Sequence, residues 1–247
     1  MSPGDVATTI GLQRRCVAAY LSVASALQVG MSEKDIASAL QHQMNDMGIS
    51  DYWYDVPIIT LIGRERFQSI AQQGYTVKAP QADIRLCEGQ VFFVDLHPRH
   101  ASGRWGNFAA TGWFGAPDSN QVSFLRLMQT VQEEGIRSLS CGMSGTDIYA
   151  WFRRKFDQHR IECIDVRGNF GHTMGAGSKY DYRRLFLDEH CEERLGGTIL
   201  GIEPGGMSRV SGEVVVARFE DCVYLSPDGP PIILGRDKPL PVVFNGE

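Results

Sequence analysis

The chain echoes itself. GMSEKDI, beginning at Gly30, recurs as GMSGTDI at Gly142. In each copy a serine (Ser32, Ser144) stands three residues ahead of an aspartate (Asp35, Asp147). That spacing predicts a helix N-terminus at which the two side chains satisfy each other's backbone N–H groups. The echo continues in order. Asp55-Val56 precedes an apolar run, as Asp165-Val166 precedes the glycine-spaced GHTMGAG. Gly89 leads by six positions to Asp95, and Gly197 by six to Glu203. Asn107 and Glu220 then hold matching places in the next runs, and every pair lies about 110 residues apart. Echoes in one order predict two helix–helix–strand–hairpin halves, about 10–116 and 117–235, related by a pseudo-twofold axis within one domain over 1–247. A site between the halves would receive Asp95 and Asn107 from one, and Glu203 and Glu220 from the other.

The residue types at those positions carry chemistry. Glu203 ends the apolar run of GGTILGIEPGG, His172 sits in GHTMGAG, and Glu220 lies in ARFEDCVYLSPDG. A histidine and two glutamates on adjacent strands form the donor set of a hard or zinc-type cation. His97 follows Asp95 by two residues, so on a strand both point to one face. It is a candidate ligand or general base. The alternative is a hydrogen-bonded residue at the mouth of the sheet, just before Pro98.

The periodicity predicts a helix from Thr9 to Leu27 and a second from Ser32 to Gly48 with Ile36, Leu40, Met44 and Met47 on one face. A strand over 55–63 follows, then a polar loop through Pro80. Gly89–His97 and Arg104–Gly115 read as a hairpin of buried strands. Pro117 and Asp118 open a helix to Gly135, and another runs from Ser144 to His159, with Arg153–Lys155 as a solvated face. GHTMGAG reads as a turn, and the proline-broken DKPLPVVF packs along an edge.

Composition narrows the function. The 247 residues are 43% hydrophobic, enough to bury a core, and the net charge of -5 argues against a general binder of nucleic acid or anionic membrane. No apolar run approaches the roughly 18 residues of a membrane span. The start, MSPGDVATTIG, has neither a basic stretch nor an apolar core, so a cytoplasmic protein is expected. Its six cysteines form no CxxC pair and read as reduced, structural thiols.

From about residue 10 to 235 the order of motifs resembles the M24 peptidases: methionine aminopeptidases, prolidases, aminopeptidase P and creatinase. FVDL matches the segment of the first metal aspartate, and GHTMG matches the family's GHGIG. GIEPGG matches TIEPG, and ARFEDCVYLSPDG matches VRIEDTVLVTEDG. The resemblance implies the α/β (α+β) pita-bread fold, a curved antiparallel sheet covered by helices. It implies Asp95, His172, Glu203 and Glu220 as ligands of divalent ions (Mn, Fe, Co or Zn). Those ions activate a water against a peptide or related C–N bond, while Glu203 moves the proton. Dimers are common among relatives of this fold, so the resemblance admits a homodimer and leaves the oligomeric state open.

The departures are specific. GRWGNFAATGWF replaces the family's GYxSDxTRTF, so Asn107 stands where the bridging aspartate is expected. A neutral amide binds through oxygen but bridges two cations poorly, leaving one or two metals per chain. No histidine occupies Arg64–Ile70, and Lys179 stands seven residues beyond His172, where peptidases commonly have another histidine. His97 resembles the second ligand of the dimethylsulfoniopropionate-lyase branch of the fold. Trp105, Phe108, Lys179 and Tyr180 are candidates to line a pocket for a small molecule or short peptide.

Three functions compete. The first is hydrolysis of an amide or other C–N bond, with Glu203 and His97 as the catalytic pair. The second is non-haem-iron oxygen chemistry using His97, His172 and one carboxylate, or a lyase in which the metal polarises a substrate carboxylate while a base removes a proton. The third is an inactive binding module, opposed by the cost of burying three carboxylates without cations.

Overall fold

The computed structural model describes residues 1–116, 118–180, 184–210 and 213–244. Pro117, expected to open a helix, lies outside them. Helix α1 covers Pro3–Ser25 and α2 Glu33–Asp46, followed by β1 (Ile58–Ile62), α3 (Arg64–Gln73), β2 (Gln90–Leu96) and β3 (Phe108–Phe114). Then come α4 (Ser119–Ser138), α5 (Gly145–His159), β4 (Glu162–Cys163), β5 (Gly171–Met174), β6 (Thr198–Ile202) and β7 (Gly205–Val210). The chain ends with β8 (Glu213–Arg218), β9 (Asp221–Leu225), β10 (Ile232–Ile233) and β11 (Val243–Phe244). No helix among the described residues is long and apolar enough to cross a membrane.

The strands form two four-stranded sheets, β1-β2-β3-β11 and β10-β9-β6-β5, and a three-stranded sheet β4-β7-β8. Pairing is antiparallel except where β11 joins β3. Helices α1 and α2 pack on the first sheet, while α4 packs on β8 and on α5. This helix-covered antiparallel architecture agrees with the α/β expectation. The core is aromatic at two points. Tyr20 meets Phe92, Phe108 and Phe244, and Phe170 meets Phe152 and Phe156.

Both copies of the Ser–Asp motif form reciprocal caps, Ser32 with Asp35 and Ser144 with Asp147. Ser2 and Asp5 make a third. That cap starts α1 at Pro3, ahead of the expected Thr9, because the reciprocal bonds outweigh the polar start of the segment.

Other boundaries differ from expectation for identifiable reasons. The stretch after β1, expected to be loop, contains α3. Its N-cap is Gly63 without a side-chain bond, and Ile70 is its one buried residue, so it carries little apolar periodicity. Arg66 anchors it by pairing with the buried Glu33 of α2. GHTMG forms strand β5 and not a turn. Gly171 is needed because its φ is +153° and a Cβ there would strike the Gly201 carbonyl of the neighbouring strand.

Helix α4 passes through Gly135 instead of ending there. A Cβ at Gly135 would overlap the ring of Phe152, which is fully buried and stacked on Phe170. Glycine here serves a close α4–α5 approach. Gly135→Ala should destabilise the protein by about 1–3 kcal/mol through overpacking, although alanine gains about 1 kcal/mol in helix propensity. Urea unfolding followed by circular dichroism measures this; a neutral or stabilised variant would show that α5 yields to the methyl group.

Candidate metal centre

Two sheets converge on one buried cluster. The β2–β3 hairpin sets Asp95 opposite Ala109, with Asn107 just before β3. Gln13 of α1 holds the Asn107 backbone from both sides, accepting its N–H at 3.1 Å and donating to its carbonyl at 2.7 Å. In the other sheet, Gly201 of β6 pairs with His172 of β5 and with Cys222 of β9. Glu203 follows β6 directly. Glu220 lies between β8 and β9, where its N–H and carbonyl bond the carbonyl and N–H of Ala109 at 2.8 and 3.2 Å. That pair joins the two sheets.

Asp95, His97, Asn107, His172, Glu203 and Glu220 are all buried here. They form two clusters, Asp95–His97–Glu220 and His172–Glu203–Glu220, each with its donor atoms within 4.8 Å of one another. Glu220 belongs to both. His97 and His172 belong to different clusters, which weighs against a single two-histidine, one-carboxylate set.

Arg218, which is not among the residues expected from the sequence, joins the cluster. Its Nη1 lies 2.6 Å from Asp95 Oδ2, and its Nη2 lies 2.9 Å from Glu203 Oε2 and 3.3 Å from Glu220 Oε2. One guanidinium therefore touches one oxygen of each of three carboxylates. Arg218 thus supplies a counter-charge within the chain, which lowers the cost weighed against an inactive binding module. The signal was in the sequence: Arg218 precedes Glu220 by two residues, so both face the same side of an extended chain.

Burial and charge set the protonation of the cluster. Burial alone would lower the His97 pKa, but the Asp95 and Glu220 carboxylates overcome it and raise it to about 10. Burial, then the Glu220 charge, pushes Glu203 up towards neutrality. Burial opposes ionisation of Asp95, but His97 and Arg218 keep its pKa low. Burial depresses His172 to about 4, so its ring is neutral. His172 Nδ1 lies 3.0 Å from the Thr173 carbonyl; a proton donated there leaves Nε2 as the acceptor, which Arg184 Nη1 approaches to 3.3 Å and which a metal would take in its place.

These residues fit a divalent cation. Asp95 Oδ1, His97 Nδ1 and Asn107 Oδ1 are buried without a hydrogen-bond partner. His97 Nδ1 and Asp95 Oδ1 approach to 2.5 Å but lack the alignment of a hydrogen bond. Asn107 donates its Nδ2 to Glu220 Oε1, leaving its carbonyl oxygen for a cation. The donors are oxygen and imidazole nitrogen, the set that suits first-row divalent metals.

A cavity of about 450 Å³ opens onto the cluster and is walled by Trp53, Tyr54, Tyr75 and Phe186, with Asp165, Arg167 and Arg184 adding charge. None of these was a candidate on sequence grounds. Lys179 lines the cavity, but its ammonium pairs with Asp55 at 2.6 Å. Tyr180 is 87% exposed and is not part of the wall. Trp105 is buried edge-on to Trp53, donates its indole N–H to the Gly177 carbonyl, and borders a small gap beside His172. Phe108 packs in the core against Tyr20.

Known structures share this fold at low identity. X-Pro aminopeptidase from Thermotoga maritima superposes with a TM-score of 0.76 at 17% identity, covering 100% of this chain and 64% of that one. Prolidase from Pyrococcus furiosus gives 0.78 at 16% identity, covering 96% and 65%. Methionine aminopeptidase from Thermotoga maritima gives 0.76 at 14% identity, covering 96% and 98%. The chain thus spans under two thirds of the first two proteins and nearly all of the third. No curated protein sequence gives a significant match. The model of metallopeptidase family M24 matches residues 12–227. With that match over most of its length, and with the pita-bread architecture around the cluster, the chain belongs to metallopeptidase family M24.

Proposed function

We propose that this protein is a metal-dependent hydrolase that cleaves an amide or other C–N bond in a small molecule or short peptide. The observation that carries this reading is the pair of buried clusters joined through Glu220. Membership of a metallopeptidase family supports it. His172, Glu203 and Glu220 would hold one divalent ion (Mn, Fe, Co or Zn), and Asp95 and Asn107 would complete the shell with Glu220; His97, held protonated by Asp95 and Glu220 in the metal-free centre, would join it only by releasing its proton. Such an ion supplies Lewis acidity and lowers the pKa of a bound water.

The chain's own groups do the rest. Glu203, with its pKa raised by burial and by Glu220, is suited to take a proton from water and deliver it to the departing nitrogen. His97 is held between Asp95 and Glu220, which fixes its ring. Arg218 fixes the far oxygens of the three carboxylates, so their remaining oxygens keep their aim. The aromatic walls of the cavity exclude water and fit a compact substrate. The free cysteines support a reducing, cytoplasmic setting.

A second reading, a metal-free binding module, has one observation in its favour: Arg218 already supplies a cation to the three carboxylates. Elemental analysis separates the two. Protein incubated with Mn, Fe, Co or Zn and then desalted should retain at least about one ion per chain. Retention of none would establish the binding module. Glu203→Ala should weaken metal binding at least about tenfold while the circular dichroism spectrum stays unchanged; equal affinity would remove Glu203 from the ligand set. Asn107→Asp adds a charged donor beside Glu220 and should raise the metal-to-chain ratio. An unaltered ratio would mean that position 107 does not serve the ions.

A further inference from the structure

One side chain outside both donor clusters serves a single peptide within the shell. Gln13 of α1 is 1% exposed. Its Nε2 donates to the Asn107 carbonyl at 2.7 Å, and its Oε1 accepts the Asn107 N–H at 3.1 Å. No strand supplies these two bonds, because the β2–β3 ladder ends at the Leu96–Phe108 pair. A buried peptide needs both of its polar groups met, and the Gln13 carboxamide meets them as a neighbouring strand would. Two glycines let α1 come this close. At Gly106 a Cβ would crowd Gln13 Oε1 and Leu12, and at Gly235 it would overlap Gln13 Cβ.

The Asn107 side chain is confined as well. It is fully buried, and its Nδ2 donates to Glu220 Oε1. That nitrogen lies over Gly201, where a Cβ would overlap it. The nitrogen has to be the end at Glu220, since an amide oxygen there would face a carboxylate oxygen. Asn107 Oδ1 is left buried without a hydrogen-bond partner. A carboxylate is drawn to a cation by its charge, but an amide has none and binds through its dipole alone. Its value as a donor therefore depends on standing in place before the ion arrives. With the peptide pinned by Gln13 and the nitrogen by Glu220, the oxygen keeps one direction.

We propose that Gln13 is a positioning residue of the metal centre: by pinning the Asn107 peptide it holds Asn107 Oδ1 ready for the cation, and so sets the affinity of the shell that Asn107 shares with Asp95 and Glu220. The inference rests on the metal-dependent reading and adds to it a residue outside both donor clusters. It makes the tightness of the shell depend on the seating of α1 and on the turn at Gly235 that packs against Gln13. A partner that orients a metal ligand is worth roughly 10–100-fold in metal affinity.

Calorimetric titration with manganese tests this in the wild type, Gln13→Met, Asn107→Ala and the double variant. Methionine fills the space of glutamine and makes neither hydrogen bond. Gln13→Met should weaken manganese binding at least about tenfold when Asn107 is present. Beside Asn107→Ala the same change should cost less than about twofold, because no amide oxygen remains to be aimed. Should Gln13→Met not fold, Gln13→Asn takes its place, a carboxamide one methylene too short to span both bonds, with the same outcomes expected. Unchanged affinity in the Gln13 variant overturns the proposal. An equal loss in both backgrounds also overturns it, since Gln13 would then act on the fold as a whole and not through Asn107. In both cases the wild type still binds manganese and the metal-dependent reading stands. A wild type that binds none sinks that reading, and the positioning role with it.

Discussion

One guanidinium shared among three carboxylates governs the centre of this protein. Arg218 is 13% exposed in its side chain, and Asp95 and Glu220 are almost wholly buried. Charges taken that far from water carry a desolvation penalty that pairing offsets only when the geometry is complete. The surroundings supply that geometry. Thr111 grips the Arg218 backbone in both directions, its hydroxyl donating to the carbonyl at 2.6 Å and accepting the N–H at 2.8 Å. The ring of Tyr75 lies 5.7 Å beneath the guanidinium. Strands from both four-stranded sheets and from the β7–β8 hairpin must meet in one register for these contacts to coexist.

The same arrangement explains how an arginine and a metal centre share three acids. Arg218 occupies Oδ2 of Asp95 and the Oε2 atoms of Glu203 and Glu220. The other oxygen of each faces a different partner: His97 beside Asp95, His172 4.0 Å from Glu203, and Asn107 beside Glu220. The carboxylates are thus divided between a permanent cation on one side and nitrogen and amide donors on the other. Asn107 lowers the negative charge on the donor side, while Arg218 offsets the charge on its own side. A centre balanced this way needs less cationic charge from outside than a set of bare acids.

Local spacing made two helix caps and the β2–β3 hairpin legible: three residues for a cap, two for a strand face. The central residues were named from the internal echo and the M24 motifs, with only His97 placed by its two-residue spacing from Asp95. The strand nature of GHTMG was hidden, because Gly171 answers to a backbone carbonyl from a distant strand and not to a turn. Helix α3 was hidden because it buries only Ile70 and is held by an ion pair to Glu33. Gly135 looked like a helix end, although Phe152, seventeen positions later in the chain, was the reason for it. The cavity wall was the least legible part. Trp53, Arg184 and Phe186 come together only when residues 184–187 lie along the edge of β5, and no spacing rule links residue 53 to residue 184. Tyr180 shows the opposite error: adjacent to Lys179 in the chain, its side chain points into solvent.

The main-chain bridge between Ala109 and Glu220 has a mechanical consequence. It is the seam between the two large sheets, and its acidic member also belongs to both donor clusters. Spreading the sheets would break this seam's hydrogen bonds and pull apart the three acids that hold Arg218, exposing like charges to one another in a single motion. The seam therefore behaves as a rivet.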